Sequence, residues 1–179
     1  VLMKTLGVFV DVSNLYYGIN FAHTDFNSRH GRRLNYKAYR KFIDTLGTVR
    51  EAIAYGGQVK SEAERFITKL REVGFKTKYK QPRISESDGK TKRSINWNVG
   101  ITVDIVKLME TEPVDILIIG SSDNNLIPLI EYIREKYGTM FVVLASNISE
   151  EIKKLKNTTC IEIPRSLLET VYRRKNENS

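Results

Sequence analysis

Three aspartates stand in this sequence where a carboxylate is costly unless it has a partner. Asp11 ends the apolar run Leu6-Gly7-Val8-Phe9-Val10. Asp123 follows the run Ile116-Leu117-Ile118-Ile119 and the break Gly120-Ser121-Ser122, and Asp104 is embedded in Ile101-Thr102-Val103-Asp104-Ile105-Val106. Short runs that are apolar on both faces and rich in β-branched residues are the mark of parallel strands buried between helix layers. In open α/β sheets ligands bind at the carboxyl ends of such strands, which is where Asp11 and Asp123 fall. A carboxylate among apolar neighbours costs free energy unless it is paired or coordinates a cation. Three of them converging at one sheet edge suit a hard cation, Mg2+ or Mn2+, which takes oxygen ligands, keeps several waters and bridges to phosphate oxygens. The alternative is local: Asp11 and Asp123 as helix caps, Asp104 as a salt-bridged helix residue.

The elements that must hold these acids follow from periodicity. Asp123 and Asn124 can cap a helix running to Tyr137, with Leu126, Ile127, Leu129, Ile130 and Ile133 at helical spacing. The Leu6 strand leads into a helix over Leu15 to Phe21, then a basic connection at Arg29 to Arg33 and a helix over Tyr36 to Leu46. Val49 to Tyr55 reads as the next strand and Ser61-Glu62-Ala63-Glu64 opens a helix that Gly74 ends. Phe75 to Tyr79 alternates apolar residues with lysines, as an edge strand does. Lys80 to Asn96 is polar and basic and reads as a mobile loop. A helix over Val99 to Met109 carries Asp104; after the Val114 strand and its helix come a strand at Met140 to Leu144, a short helix at Glu150 to Leu155, a strand at Thr159 to Ile163 and a terminal helix at Arg165 to Arg174. Strands alternating with helices imply an α/β fold: a three-layer, Rossmann-like domain with a mostly parallel central sheet and helices on both faces. The domain is expected over residues 1–165, with a C-terminal helix and frayed tail over 166–179.

The totals fit that picture. The chain has 179 residues, 41% hydrophobic and 28% charged, enough for one domain with its own core. No apolar run approaches the roughly 18 residues that cross a bilayer, so a cytoplasmic protein without membrane contact is expected. Cys160 is the one cysteine, which excludes an internal disulfide and a thiolate zinc site. His23 and His30 lack metal-ligand spacing, and no histidine accompanies Ser13, Ser121 or Ser122 to make a nucleophile. The net charge of +8 and pI near 9.5 favour a polyanionic partner.

The strand ending in Asp11-Val12-Ser13-Asn14, the helix segment Val99-Gly100-Ile101-Thr102-Val103-Asp104 and the stretch Asp115 to Pro128 together resemble the NYN domain family, the PIN-like nucleases that include the LabA-type proteins. The resemblance covers most of Leu6 to Ile163. The family's Asp-x-x-Asn is matched by Asp11 and Asn14, its helix acid by Asp104, and its strand-end Ser-Gly-Asp-Ser-Asp-Phe by Ser121-Ser122-Asp123-Asn124-Asn125-Leu126. Two positions depart from it: Asn98 and Asn125 stand where the family usually has Asp. Each keeps an oxygen ligand and loses a charge. The resemblance implies metal-dependent hydrolysis of RNA phosphodiesters, with Asp11, Asp104 and Asp123 as catalytic metal ligands, Asn98 and Asn125 completing the metal shell, and the metal activating water and neutralising transition-state charge.

RNA contacts are expected from Asn14, Ser121 and Ser122 at the cleft and from two basic walls, Arg29, Arg32 and Arg33, and Lys76, Lys78, Lys80, Arg83, Lys90, Lys92 and Arg93, with Tyr79 and Trp97 able to stack on bases. Two functions compete: a Mg2+- or Mn2+-dependent ribonuclease, and a catalytically weakened member that binds RNA or a protein partner, favoured by Asn98 and Asn125. A haloacid-dehalogenase-type phosphatase would need an acid at position 13, which is Ser, and no Gly-rich turn follows Val10 to cradle a dinucleotide.

Overall fold

The computed structural model describes residues 3–23, 30–57, 62–87 and 90–172. Six strands form the central sheet, all paired in parallel: β1 (Thr5–Asp11), β3 (Thr48–Gly57), β4 (Lys76–Lys80), β7 (Ile116–Gly120), β8 (Met140–Ala145) and β9 (Thr158–Glu162), in the spatial order β4-β3-β1-β7-β8-β9. The apolar runs are its centre: Leu6, Val8, Phe9 and Val10 of β1 and Leu117 to Ile119 of β7 are buried, because central strands of a parallel sheet lose both faces to helices.

Order and chain direction fix the layers. From β1 the chain moves outward through α1 (Val12–Ala22) and α2 (Tyr36–Asp44) to β3, then through α3 (Glu62–Glu72) to β4. It then crosses back through α4 (Asn98–Thr111) to β7 and runs the other way through α5 (Ile127–Tyr137) to β8 and α6 (Glu150–Lys153) to β9. Right-handed crossovers in opposite directions put their helices on opposite faces, giving the three layers expected. The reversal lies between β1 and β7. That switch point opens a crevice at their carboxyl ends.

At the crevice, Gly120 pairs with Val10 at the last position of the β1–β7 ladder, and a Cβ there would lie 2.8 Å from the Tyr39 hydroxyl and 3.0 Å from both Val10 methyls. Tyr39 is fully buried and donates to the Leu144 carbonyl at 2.9 Å, so it has little room to yield. Gly120→Ala should therefore cost about 1–3 kcal/mol through overpacking. An unchanged melting temperature would contradict this packing.

Three readings of the sequence are corrected. The segment expected as a terminal helix is a short 3-10 turn, Arg165–Leu167, followed by strand β10 (Leu168–Tyr172); residues 173 and 174 lie outside the described residues. β10 pairs antiparallel with β2 (His30–Leu34), so the basic connection at Arg29 to Arg33 is a strand from His30 onward, Arg29 lying outside the described residues. The Asn35 N–H donates to the Leu167 carbonyl at 2.9 Å and ties the pair to the domain. The expected loop from Lys80 to Asn96 contains a hairpin, β5 (Arg83–Ser87) with β6 (Lys90–Ser94). Its pairing rests on backbone hydrogen bonds, which need no apolar alternation. The helix after Asp123 opens as a 3-10 turn, Asn124–Leu126, before Pro128 sets the first turn of α5. Cys160 sits on β9, only partly buried.

Candidate active site

Asp11 closes β1 and caps α1: its Oδ1 accepts the Asn14 N–H at 3.0 Å. It is 7% exposed, and burial raises the proton affinity of its carboxyl. Backbone N–H groups of Asn14 and Ser13 and the charge of Lys80 oppose that rise, while the negative charge of Asp123 adds to it. Asn14 Oδ1 in turn accepts from the Ser122 N–H at 2.9 Å and its hydroxyl at 3.2 Å, tying the start of α1 to the loop after β7. Ser121 is buried and its Oγ accepts the Asp123 N–H at 3.3 Å. These bonds hold Asp11 and Asp123 over the switch point.

Both oxygens of Asp123 are engaged. Oδ1 accepts from the backbone N–H and side-chain Nδ2 of Asn125, each at 2.9 Å. Oδ2 accepts from Asn98 Nδ2 at 2.8 Å, and Asn98 is itself fixed by Asn96 Oδ1, which accepts its N–H at 2.9 Å. The amides that stand where the NYN pattern has acids thus donate to the remaining carboxylate. Asp11, Asn14, Asn98 and Asp123 line one cleft of about 700 Å³ with Ser13, Tyr17, Pro82 and Ser94 to Asn96.

Asp104 does not line that cleft. It lies six residues beyond Asn98 in α4, about 120° around the axis at roughly 100° per residue, so the turn that points Asn98 at Asp123 points Asp104 elsewhere. There both its oxygens accept from Lys78 Nζ at 2.8 Å and Oδ2 also accepts the Tyr55 hydroxyl at 2.6 Å. Among the described residues no group of three or more Asp, Glu, His or Cys side chains could hold a metal ion. The expectation of three convergent carboxylates becomes two carboxylates and two amides.

The basic walls are rearranged as well. Lys76 pairs with Glu51 and Lys78 with Asp104, so two lysines of edge strand β4 are spent within the fold. Lys80 Nζ sits over the Trp97 ring, 4.3 Å from its centroid, and donates to the Asn96 carbonyl. Trp97 is partly buried, packs against Tyr55 with ring centroids 5.3 Å apart and planes tilted by 52°, and donates Nε1–H to the Gly56 carbonyl at 3.0 Å. Arg32 donates to Thr170 Oγ1 at 3.0 Å and Arg33 pairs with Glu169, both across β2–β10. Lys90, Lys92 and Arg93 have their backbone in β6; their side chains lie outside the described residues.

Sequence reasoning missed Tyr55 as the partner of Asp104, and Ser13, Tyr17 and Asn96 as cleft walls. Tyr55 had a signal: it is the β3 residue in register with Asp11, which puts it at the same strand end.

The comparisons agree with this architecture. A solved structure of a protein of unknown function from Vibrio parahaemolyticus RIMD 2210633 superposes with a TM-score of 0.70 at 27% identity, covering 89% of this chain and 94% of that one. No curated protein matches the chain. The NYN domain, a nuclease-like and RNA-related family, matches residues 5–169. That span holds every element from β1 into β10 and both cleft carboxylates, and the chain belongs to the NYN domain family.

Proposed function

We propose that this chain is a PIN-like, LabA-type NYN ribonuclease that hydrolyses RNA phosphodiester bonds in the Asp11–Asp123 cleft with a bound Mg2+ or Mn2+, and that it works in the cytoplasm. The observation that carries the reading is that two carboxylates line one cleft, with the proton affinity of Asp11 raised first by its burial and further by the negative charge of Asp123. Two ionised acids so placed repel each other, and a divalent cation relieves that repulsion. The donor set fits such an ion: Mg2+ is commonly held by one or two carboxylates plus substrate phosphate and water rather than by a full protein cage. Asp11 and Asp123 would hold it, with the amide oxygens of Asn98 and Asn125 available to a rotated side chain. When bound, the cation supplies Lewis acidity toward the phosphoryl oxygens and lowers the pKa of an attacking water.

The chain's own residues then position and attract. The Asn14–Ser122 bonds fix the spacing of the two acid-bearing segments. Lys80, close enough for its charge to act on Asp11, draws phosphate to the cleft, as Lys90, Lys92 and Arg93 would along the hairpin. Among the described residues no helix is long and apolar enough to cross a membrane.

A second reading, RNA binding without cleavage, is favoured by one observation: both Asp123 oxygens already accept amide N–H bonds and Lys78 already neutralises Asp104. Thermal melting in Mn2+ separates the two. At a hundred times its dissociation constant a ligand stabilises the native state by about 2.7 kcal/mol, which for a chain of this size raises the melting temperature by roughly 5–10 °C. Wild type should show that rise and Asp123→Asn should lose most of it; a wild type indifferent to Mn2+ and Mg2+ would leave the binding module.

A further inference from the structure

A second cavity of about 760 Å³ opens beside the acidic cleft, and no part of the cation chemistry uses it. The two share Ser13, Tyr17 and Ile95 as a common wall. Five aromatic side chains line it. Tyr16 and Tyr17 of α1 are exposed, 56% and 69%, and meet edge to face with centroids 5.4 Å apart. Tyr36 packs against Phe66 with centroids at 5.4 Å and is partly buried against the core. Tyr79 completes the set, its ring lying on the bare Cα of Gly56, where a Cβ would come within 2.6 Å of it. Among the described residues the buried Tyr79 hydroxyl has no hydrogen-bond partner, a state that costs free energy. Charge complements the aromatics. Lys37, Arg65 and Lys69 line the cavity with one further acid, Glu72, and form no ion pair among the described residues, whereas Arg33 is balanced by Glu169.

We propose that this cavity receives a nucleobase of the same single strand whose phosphate lies in the Asp11–Asp123 cleft. The inference rests on the RNA reading above and adds a subsite to it. A flat, polar-edged ring suits stacking on exposed Tyr17, and Lys37, Arg65 and Lys69 offer positive charge to the flanking phosphates. An apolar side chain of a partner protein would fill the same space, but it would bring no negative charge to these cations. The shared wall joins base and phosphate in one path: the strand passes from cavity to cleft along α1 beside Tyr17.

The test is binding in the presence of chelator, so that cleavage cannot intervene. Fluorescence anisotropy of the full chain compares a short oligoadenylate with an abasic ribose-phosphate strand of equal length. Stacking on one aromatic side chain predicts that wild type prefers the base-bearing strand by roughly fivefold to a hundredfold. Tyr17→Ala, at an exposed position, should reduce that preference to near unity. Ala63→Trp, which lies on the cavity wall but outside the cleft, should do the same by filling the space. Equal binding of the two strands by wild type, or a preference that survives both substitutions in proteins that melt like wild type, overturns the subsite. Failure of the nuclease reading looks different: the preference persists in chelator, but no cut appears when Mn2+ is restored.

Discussion

Asp123→Asn should lower cleavage of single-stranded RNA in Mn2+ by at least about a hundredfold while RNA binding stays as tight or tightens. Losing a residue one layer outside a metal site already costs about 10–100-fold, so removing one of the two charged ligands proposed here should exceed that. The exchange is nearly isosteric. Asn keeps an oxygen able to accept the Asn125 N–H, so the 3-10 turn after β7 keeps its cap. What it loses is negative charge at the proposed phosphate site, which is why binding should not suffer. Asn98 and Asn125 leave no charge in reserve. Asp11→Asn should behave alike in cleavage and carries its own control for folding. Burial raises the proton affinity of Asp11, so ionised Asp11 weakens the fold as pH rises through its elevated titration, and stability from this group is fullest below the ordinary carboxylate range. The Asn variant avoids that loss: it should melt no lower than wild type at neutral pH, with the gap closing as pH falls. A variant that melts well below wild type would show that Asp11 supports the fold rather than the chemistry.

Asp104→Ala should have the opposite profile, a large loss of stability from a residue that does not line the cleft. Tyr55 is fully buried, and burial together with the Asp104 carboxylate pushes its phenol far above the ordinary tyrosine range, so the hydroxyl stays protonated and donating. Removing its acceptor leaves a buried donor unsatisfied, which costs about 1–3 kcal/mol, or roughly 2–12 °C in melting temperature for a chain of this length. Lys78 is half-exposed and regains water, so the broken ion pair adds little beyond this. Tyr55→Phe removes the donor instead and should rescue most of the loss when combined with Asp104→Ala. If the melting temperature of Asp104→Ala matches wild type while cleavage disappears, Asp104 belongs to the cation site after all.

Local sequence carried the parts of this molecule that local physics decides. The β-branched run Ile116 to Ile119 and the apolar run Leu6 to Val10 could only be buried strands, and parallel pairing then puts Asp11 and Asp123 at the same edge. The pairing of Asp104 was not legible because its partners are remote: Lys78 and Tyr55 come from two other strands, and the 120° offset from Asn98 matters only once α4 is docked. β10 was misread for a related reason. Leu167, Leu168 and Val171 fit a helix face as well as a strand, and the choice is made by His30 to Leu34, more than a hundred residues earlier in the chain. The hairpin β5–β6 offers no apolar alternation at all, since Ser, Lys, Thr and Arg dominate both strands. Strand order was equally silent: nothing in the runs themselves says that β1 lies between β3 and β7, which is what creates the crevice.

The central claim is that two carboxylates at that crevice, with a divalent cation, cut RNA. It is tested most directly by incubating wild-type protein with a labelled single-stranded RNA in Mn2+, in Mn2+ with excess chelator, and beside Asp123→Asn, following cleavage and binding of the same RNA. The account predicts products with wild type in Mn2+ alone, intact but bound RNA with chelator, and intact, bound RNA with Asp123→Asn. Wild type that binds the RNA and leaves it whole in both Mn2+ and Mg2+, or cleavage that persists through chelator and Asp123→Asn alike, would contradict it.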